Sequence, residues 1–89
     1  MKSMHCVVSG KVQGVYFRAW TKEQADSLGV KGWVRNIEGG RVEVLDQADD
    51  SVLSEFKTRL VQGSAMSEVK DLRCDNVDYE KTYSRFEVR

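Results

Sequence analysis

The sequence holds no proline, one histidine and two cysteines, and each scarcity removes a class of explanation. A protein metal centre usually draws three or four ligands, and its cysteines often come as CxxC pairs. Cys6 and Cys74 have no such spacing and His5 stands alone, so no metal or other cofactor is expected. An excess of one charge is also missing: Lys plus Arg and Asp plus Glu number 14 each. No net field draws the chain toward nucleic acid or an anionic membrane, and any anion site must be local. Long apolar runs are absent too. The first breaks after Val8, too early for a signal-peptide core, and nothing approaches the ~20 residues of a membrane span. A cytoplasmic protein with no membrane partner is expected. In a reducing compartment the two cysteines are read as small buried hydrophobes rather than as a disulfide, although the sequence leaves the bridge open.

What remains is 89 residues with 40% hydrophobic content, enough for one core and too little for two, so residues 1–89 read as a single domain. Met4–Val8 has strand character, with Met4, Cys6 and Val8 on one face, and Ser9 and Gly10 are expected to end it. Phe17, Trp20, Ala25 and Leu28 follow helical spacing, and Gly29 sits where a left-handed cap belongs. Two short β-rich runs, Val30–Arg35 and Arg41–Leu45, flank the turn sequence from Asn36 to Gly40. Asp49, Asp50 and Ser51 offer N-caps for a second helix carrying Leu53, Phe56 and Leu60 and ending at Gly63. Val69–Val77 reads as a charge-studded strand and Tyr83–Arg89 as a final edge strand. The order βαββαβ with an extra C-terminal strand predicts an α+β, ferredoxin-like two-layer sandwich: an antiparallel sheet covered by two helices on one face. That fold hosts enzymes and binding modules alike, so the site must decide function.

The candidate site is the turn from Ser9 to Arg18, which joins the first strand to the first helix. The first turn of a helix leaves main-chain NH donors unpaired and carries about half a positive charge, which suits an anion. Gly14 lets the chain curl so that those donors converge, and Arg18 adds a planar fork of donors matched to phosphate oxygens. The spacing is not that of a GxxxxGK[ST] nucleotide loop, which disfavours ATP hydrolysis. A plainer reading is also open, in which the glycines only make a tight turn and Arg18 is a solvated surface residue.

The run Val8-Ser9-Gly10-Lys11-Val12-Gln13-Gly14-Val15-Tyr16-Phe17-Arg18 closely resembles the first signature of the acylphosphatase family. Gly32-Trp33-Val34-Arg35-Asn36, followed by Gly40-Arg41-Val42-Glu43-Val44, resembles the second. Ser84-Arg85-Phe86-Glu87-Val88-Arg89 is similar to the family's closing strand. The resemblance spans essentially the whole chain and is most specific between Val8 and Val44. One position departs from the pattern: Ala48 stands where a glycine is usual near the end of the third strand, which implies a local change in that turn.

The resemblance implies hydrolysis of the carboxyl–phosphate anhydride of acyl phosphates. Arg18 and the loop amides of Gln13, Gly14, Val15, Tyr16 and Phe17 would hold the phosphoryl group, and Asn36 would position the attacking water. Position 16 varies in the family, so the Tyr16 ring is expected to shade the site without defining it. A small acyl phosphate is then the partner, inorganic phosphate the product or inhibitor, and a monomer the expected state. A good carboxylate leaving group makes a metal or a strong general acid dispensable. His5 is given a structural or solvated role, and no resident base is evident.

The alternative is a non-catalytic ferredoxin-like module. RNA-recognition domains share this element order, but Arg41-Val42-Glu43-Val44-Leu45 offers no aromatic for stacking, so no nucleic-acid partner is expected. A regulatory or maturation module handling carbamoyl phosphate is the other version, and the chain's length argues instead for a free-standing enzyme. Trp20 is read as core filling, while Trp33 stays undecided between core and ligand platform.

Overall fold

A computed structural model describes all residues from Met1 to Arg89. Strand β1 is Lys2–Lys11, helix α1 Phe17–Leu28, β2 Lys31–Ile37, β3 Arg41–Ala48, helix α2 Asp50–Gln62, β4 Glu68–Val77 and β5 Phe86–Val88. The strands form one sheet in the order β4-β1-β3-β2-β5. Strand alternation turns Met4, Cys6, Val8, Val34, Val42 and Val44 to the face that meets Phe17 and Ala25 of α1 and Leu53, Phe56 and Leu60 of α2. Burying each large apolar side chain there contributes roughly 1.5–3 kcal/mol. The expected two-layer sandwich is the observed one.

Several boundaries differ from expectation, each for a local reason. β1 does not end at Ser9 and Gly10 but continues to Lys11, with its pairing to β4 shifting register between those two residues. Gly10 adopts φ +124°, and a Cβ there would collide with the Glu68 carbonyl. The glycine therefore permits a bulge and a close approach to β4 rather than a chain break. β3 extends past Leu45 through Ala48, which pairs with Lys2. The closing strand shrinks to Phe86–Val88 and pairs with β2 in parallel, so the sheet is mixed and not wholly antiparallel. The helix ends follow the sequence reading: Gly29 is left-handed, with its NH turned back to Ala25 and Asp26, and Gly63 caps α2.

The cysteine expectation is corrected outright. Cys6 on β1 and Cys74 on β4 are register partners with Cα atoms 4.1 Å apart, and they form a disulfide. Directly opposed residues of antiparallel strands lie within bridging distance, and the long sequence separation hides that proximity. Of the two tryptophans, Trp20 packs half-buried against the core, its ring 5.4 Å from that of Phe17. Trp33, the neighbour of core residue Val34 along the strand, lies outside the helix-side core. Its Nε1 donates to Tyr83 Oη at 3.2 Å, and the guanidiniums of Arg35 and Arg89 each sit 5.1 Å from its ring. Those cations already cover the ring, which leaves no open stacking platform.

One polar group stands apart. Asp46 is fully buried and neither carboxylate oxygen has a hydrogen-bond partner. Its register neighbours are Met4 and Gly32, and Asp46 is the one ionisable residue among those buried. Burial therefore raises its pKa well above the usual aspartate range, against a smaller lowering by its own main-chain NH. The native state holds this proton at pH values where the unfolded chain, with an ordinary value of about 3.9, has lost it. This contribution makes stability fall as pH rises above about 4. Asp46→Val should raise stability at pH 7 by roughly 1–3 kcal/mol, the usual cost of an unsatisfied buried group. Urea unfolding should show that advantage shrinking toward pH 4; equal midpoints at pH 7 would contradict the assignment.

Candidate functional site

The site begins with a chain conformation. β1 ends at Lys11, and residues 12–16 cross to α1 without regular structure. Gly14 adopts φ +72° in open space, and Tyr16, the residue before the helix, adopts φ 65° and ψ 16°. Left-handed backbone at a tyrosine is sterically costly, of order 1–3 kcal/mol, and such strain gathers at functional sites. Its consequence is a row of free donors. No main-chain NH from Gln13 to Ala19 donates to a backbone carbonyl, and the first helical bond runs from Trp20 N to Tyr16 O at 3.0 Å. The helix start carries no side-chain cap and its first turn no acidic residue. Neither a side-chain cap nor a first-turn carboxylate therefore competes for the positive end of the helix dipole.

Three side chains complete the arrangement. Arg18, half-buried on the first turn of α1, donates through Nη1 to the main-chain oxygen of Arg89 at 2.8 Å. That contact fixes one arm of the guanidinium while its remaining NH groups stay available. Asn36 is exposed near the end of β2. Arg18 and Asn36 line one cavity of about 190 Å³ with Gly14, Tyr16, Phe17 and the flanking Val12, Ala19 and Val88.

Gln13 works differently from the other loop residues. Its Nε2 donates to the Ile37 carbonyl at 3.0 Å and to the Arg41 carbonyl at 2.8 Å. Ile37 and Arg41 face each other across the β2–β3 turn, one residue beyond the Asn36–Val42 pair. Both amide protons of Gln13 are thus committed to holding the hairpin against the loop, and its main-chain NH is the one donor it has left for an anion. The structure brings Gly14, Tyr16, Phe17, Arg18 and Asn36 to the cavity and keeps two expected residues out of its lining: Gln13, turned to the hairpin, and Val15, in the core. The sequence reading missed the Gln13 side-chain role, Val88, and the Arg89 main-chain contact, since none has a signal in residue type or spacing.

The open sheet face carries a separate polar group. His5 lies 2.7 Å from Glu43, which also accepts from Arg35. Burial pushes the Glu43 carboxyl up, but the hydrogen bonds from His5 and Arg35 outweigh it and hold the pKa below the ordinary value. His5 is tied into this structural network, and further along β3 on the same face Leu45 and Gln47 are buried, with Gln47 donating to the Lys81 carbonyl and accepting from the Tyr83 NH, so this strand offers no exposed ring of the kind an RNA-binding sheet needs.

The acylphosphatase family model matches residues 4–88. The chain belongs to the acylphosphatase family. It is 43% identical to an acylphosphatase of Nitrosococcus oceani over 86 residues, which cover 97% of this chain and 96% of that one. Among solved structures it is similar to an acylphosphatase from Bacillus subtilis, with a TM-score of 0.95, 32% identity, and 100% and 99% of the two chains covered. An acylphosphatase structure from Coxiella burnetii matches with a TM-score of 0.93, 33% identity, and 99% and 92% coverage. Within this acylphosphatase framework, the Gln13 link ties the hairpin that carries Asn36 to the loop. Gln13→Ala should lower kcat for benzoyl phosphate hydrolysis by about 10- to 100-fold through misplacement of the reacting groups, while the unfolding midpoint falls only modestly. Unaltered kcat would show that the link does not position Asn36.

Proposed function

We propose that the chain acts as a single domain that hydrolyses acyl phosphates to a carboxylate and inorganic phosphate at the cavity between residues 13–19 and Asn36. The observation that carries the reading is the row of unpartnered amides from Gln13 to Ala19, which includes that of Arg18, with no acidic residue in the first helical turn. The amides and the dipole take the phosphoryl oxygens, and the guanidinium adds charge-assisted hydrogen bonds, each worth about 1.5–3 kcal/mol. The side-chain amide of Asn36 orients a water on the phosphorus. As that water attacks, the bond between phosphorus and the acyl oxygen breaks, the carboxylate departs, and a phosphate oxygen accepts the water's proton. The leaving group is already a weak base, so positioning and charge stabilisation supply the acceleration.

Inorganic phosphate, as product, binds the same donors and competes with substrate. The chain works as a monomer in this reading. No helix is long and apolar enough to cross a membrane. The cytoplasm remains the proposed location on the grounds of the sequence, and the Cys6–Cys74 disulfide runs against it, because thiols are kept reduced there.

The roles separate by substitution. Arg18→Gln should weaken phosphate inhibition and lower turnover together. Asn36→Ala should lower kcat by about 10²-fold or more with little change in phosphate affinity, since it acts on the water and not on the anion. Steady-state hydrolysis of benzoyl phosphate with phosphate as inhibitor distinguishes the two. An Arg18→Gln variant with parental turnover and inhibition would refute the assignment.

A further inference from the structure

The last residues of β1 before the phosphate loop are held differently from the rest of that strand. β3 pairs with β1 only from Lys2 to Val8. Ser9, Gly10 and Lys11, which lead directly into residues 12–16, find their strand partners on β4 alone, in Asp71, Val69 and Glu68. β4 is an outer strand, with β1 on one side and no strand on the other, and none of its 10 residues is buried. Val69, Leu72 and Cys74 reach the core only in part. One covalent bond pins this strand to β1, the Cys6–Cys74 disulfide. Resting on the function proposed above, we infer that this disulfide is a redox-sensitive latch: oxidised, it holds β4 against the entrance to the phosphate loop, and reduced, it lets β4 open locally and weakens the grip on phosphate.

The bond is placed for reduction in the folded protein. Cys6 is fully buried, whereas Cys74 is half-buried on the outer strand, so a dithiol reductant approaches from the Cys74 side. One thiolate of the dithiol attacks the Cys74 sulfur, the S–S bond breaks with Cys6 leaving as a thiolate, and a mixed disulfide forms. The second thiolate of the dithiol then attacks its own partner sulfur in that mixed disulfide and releases Cys74. The two protein thiolates take up the two protons lost by the dithiol, which ends as a cyclic disulfide. An outer strand whose side chains lie largely in solvent has few contacts to oppose local opening once the bond is gone. The loop keeps other anchors, because Gln13 ties it to the β2–β3 hairpin and Val12 is buried in the core. Reduction therefore loosens the loop without dismantling it, and the loop spends only part of its time arranged for the anion.

The experiment compares the oxidised protein, the same protein treated with dithiothreitol, and a double variant carrying Cys6→Ala and Cys74→Ala. Without denaturant, dithiothreitol should expose both thiols of a chain that has no free cysteine when oxidised. Hydrogen exchange should then speed up in β4 and in residues 9–11, while β3 keeps its protection. The inhibition constant of inorganic phosphate against benzoyl phosphate hydrolysis should rise about 3- to 10-fold, the factor expected when the competent loop falls to roughly a third to a tenth of the population. Reoxidation should reverse the change, and the double variant should show the reduced values with or without dithiothreitol. Thiols that appear only on global unfolding, or that appear with exchange or inhibition unchanged, would overturn the latch while leaving the hydrolytic function standing. An oxidised protein that neither hydrolyses benzoyl phosphate nor responds to phosphate would overturn both.

Discussion

The site rests on backbone geometry before it rests on any side chain. From Gln13 to Ala19 the chain leaves its main-chain donors without carbonyl partners. Such a row is costly unless water or an anion satisfies it. The fold maintains it by anchoring both ends: β1 is paired on both sides within the sheet, and α1 packs Phe17 and Ala25 into the core. Between those anchors Gly14 and Tyr16 adopt left-handed backbone, and both line one cavity with Phe17, Arg18 and Ala19. Arg18 adds charge to an environment already biased toward anions.

The rest of the structure sets distances around that loop. Gln13 ties the loop to the β2–β3 hairpin, and the main-chain oxygen of Arg89 holds one arm of the Arg18 guanidinium. β5 lies in parallel beside β2, which places Val88 at the cavity and Arg89 next to Arg18. A short strand of three residues thus serves both the core, through the buried Phe86, and the cavity, through Val88. On the other sheet face, the His5–Glu43–Arg35 group and the cation-covered Trp33 ring complete a polar surface whose groups are engaged with one another.

Much of this could be read from residue order. Apolar periodicity located both helices, the glycines after them marked their ends, and the two signatures around Gly14 and Asn36 pointed to the family and supplied the candidate site residues. The remainder required strands to be placed beside one another. Gly10 looks like a terminator in sequence and is a bulge only because β4 passes close to it. Cys6 and Cys74 carry no motif, and their bond follows from register alone. The same holds for Gln13, whose partners are carbonyls on a distant hairpin, and for Asp46, an aspartate in a β-rich run whose burial depends on the helices above it. Local pattern fixes which elements form; long-range packing fixes what each polar side chain meets.

The central claim is that a row of free amides binds the phosphoryl anion, and amide-resolved NMR titration with inorganic phosphate tests it most directly. The account predicts saturable shifts concentrated at the amides of residues 13–19, largest around Gly14, with the β4 amides on the far edge of the sheet undisturbed. Saturable shifts located elsewhere, or none at these amides up to high phosphate concentration, would contradict it.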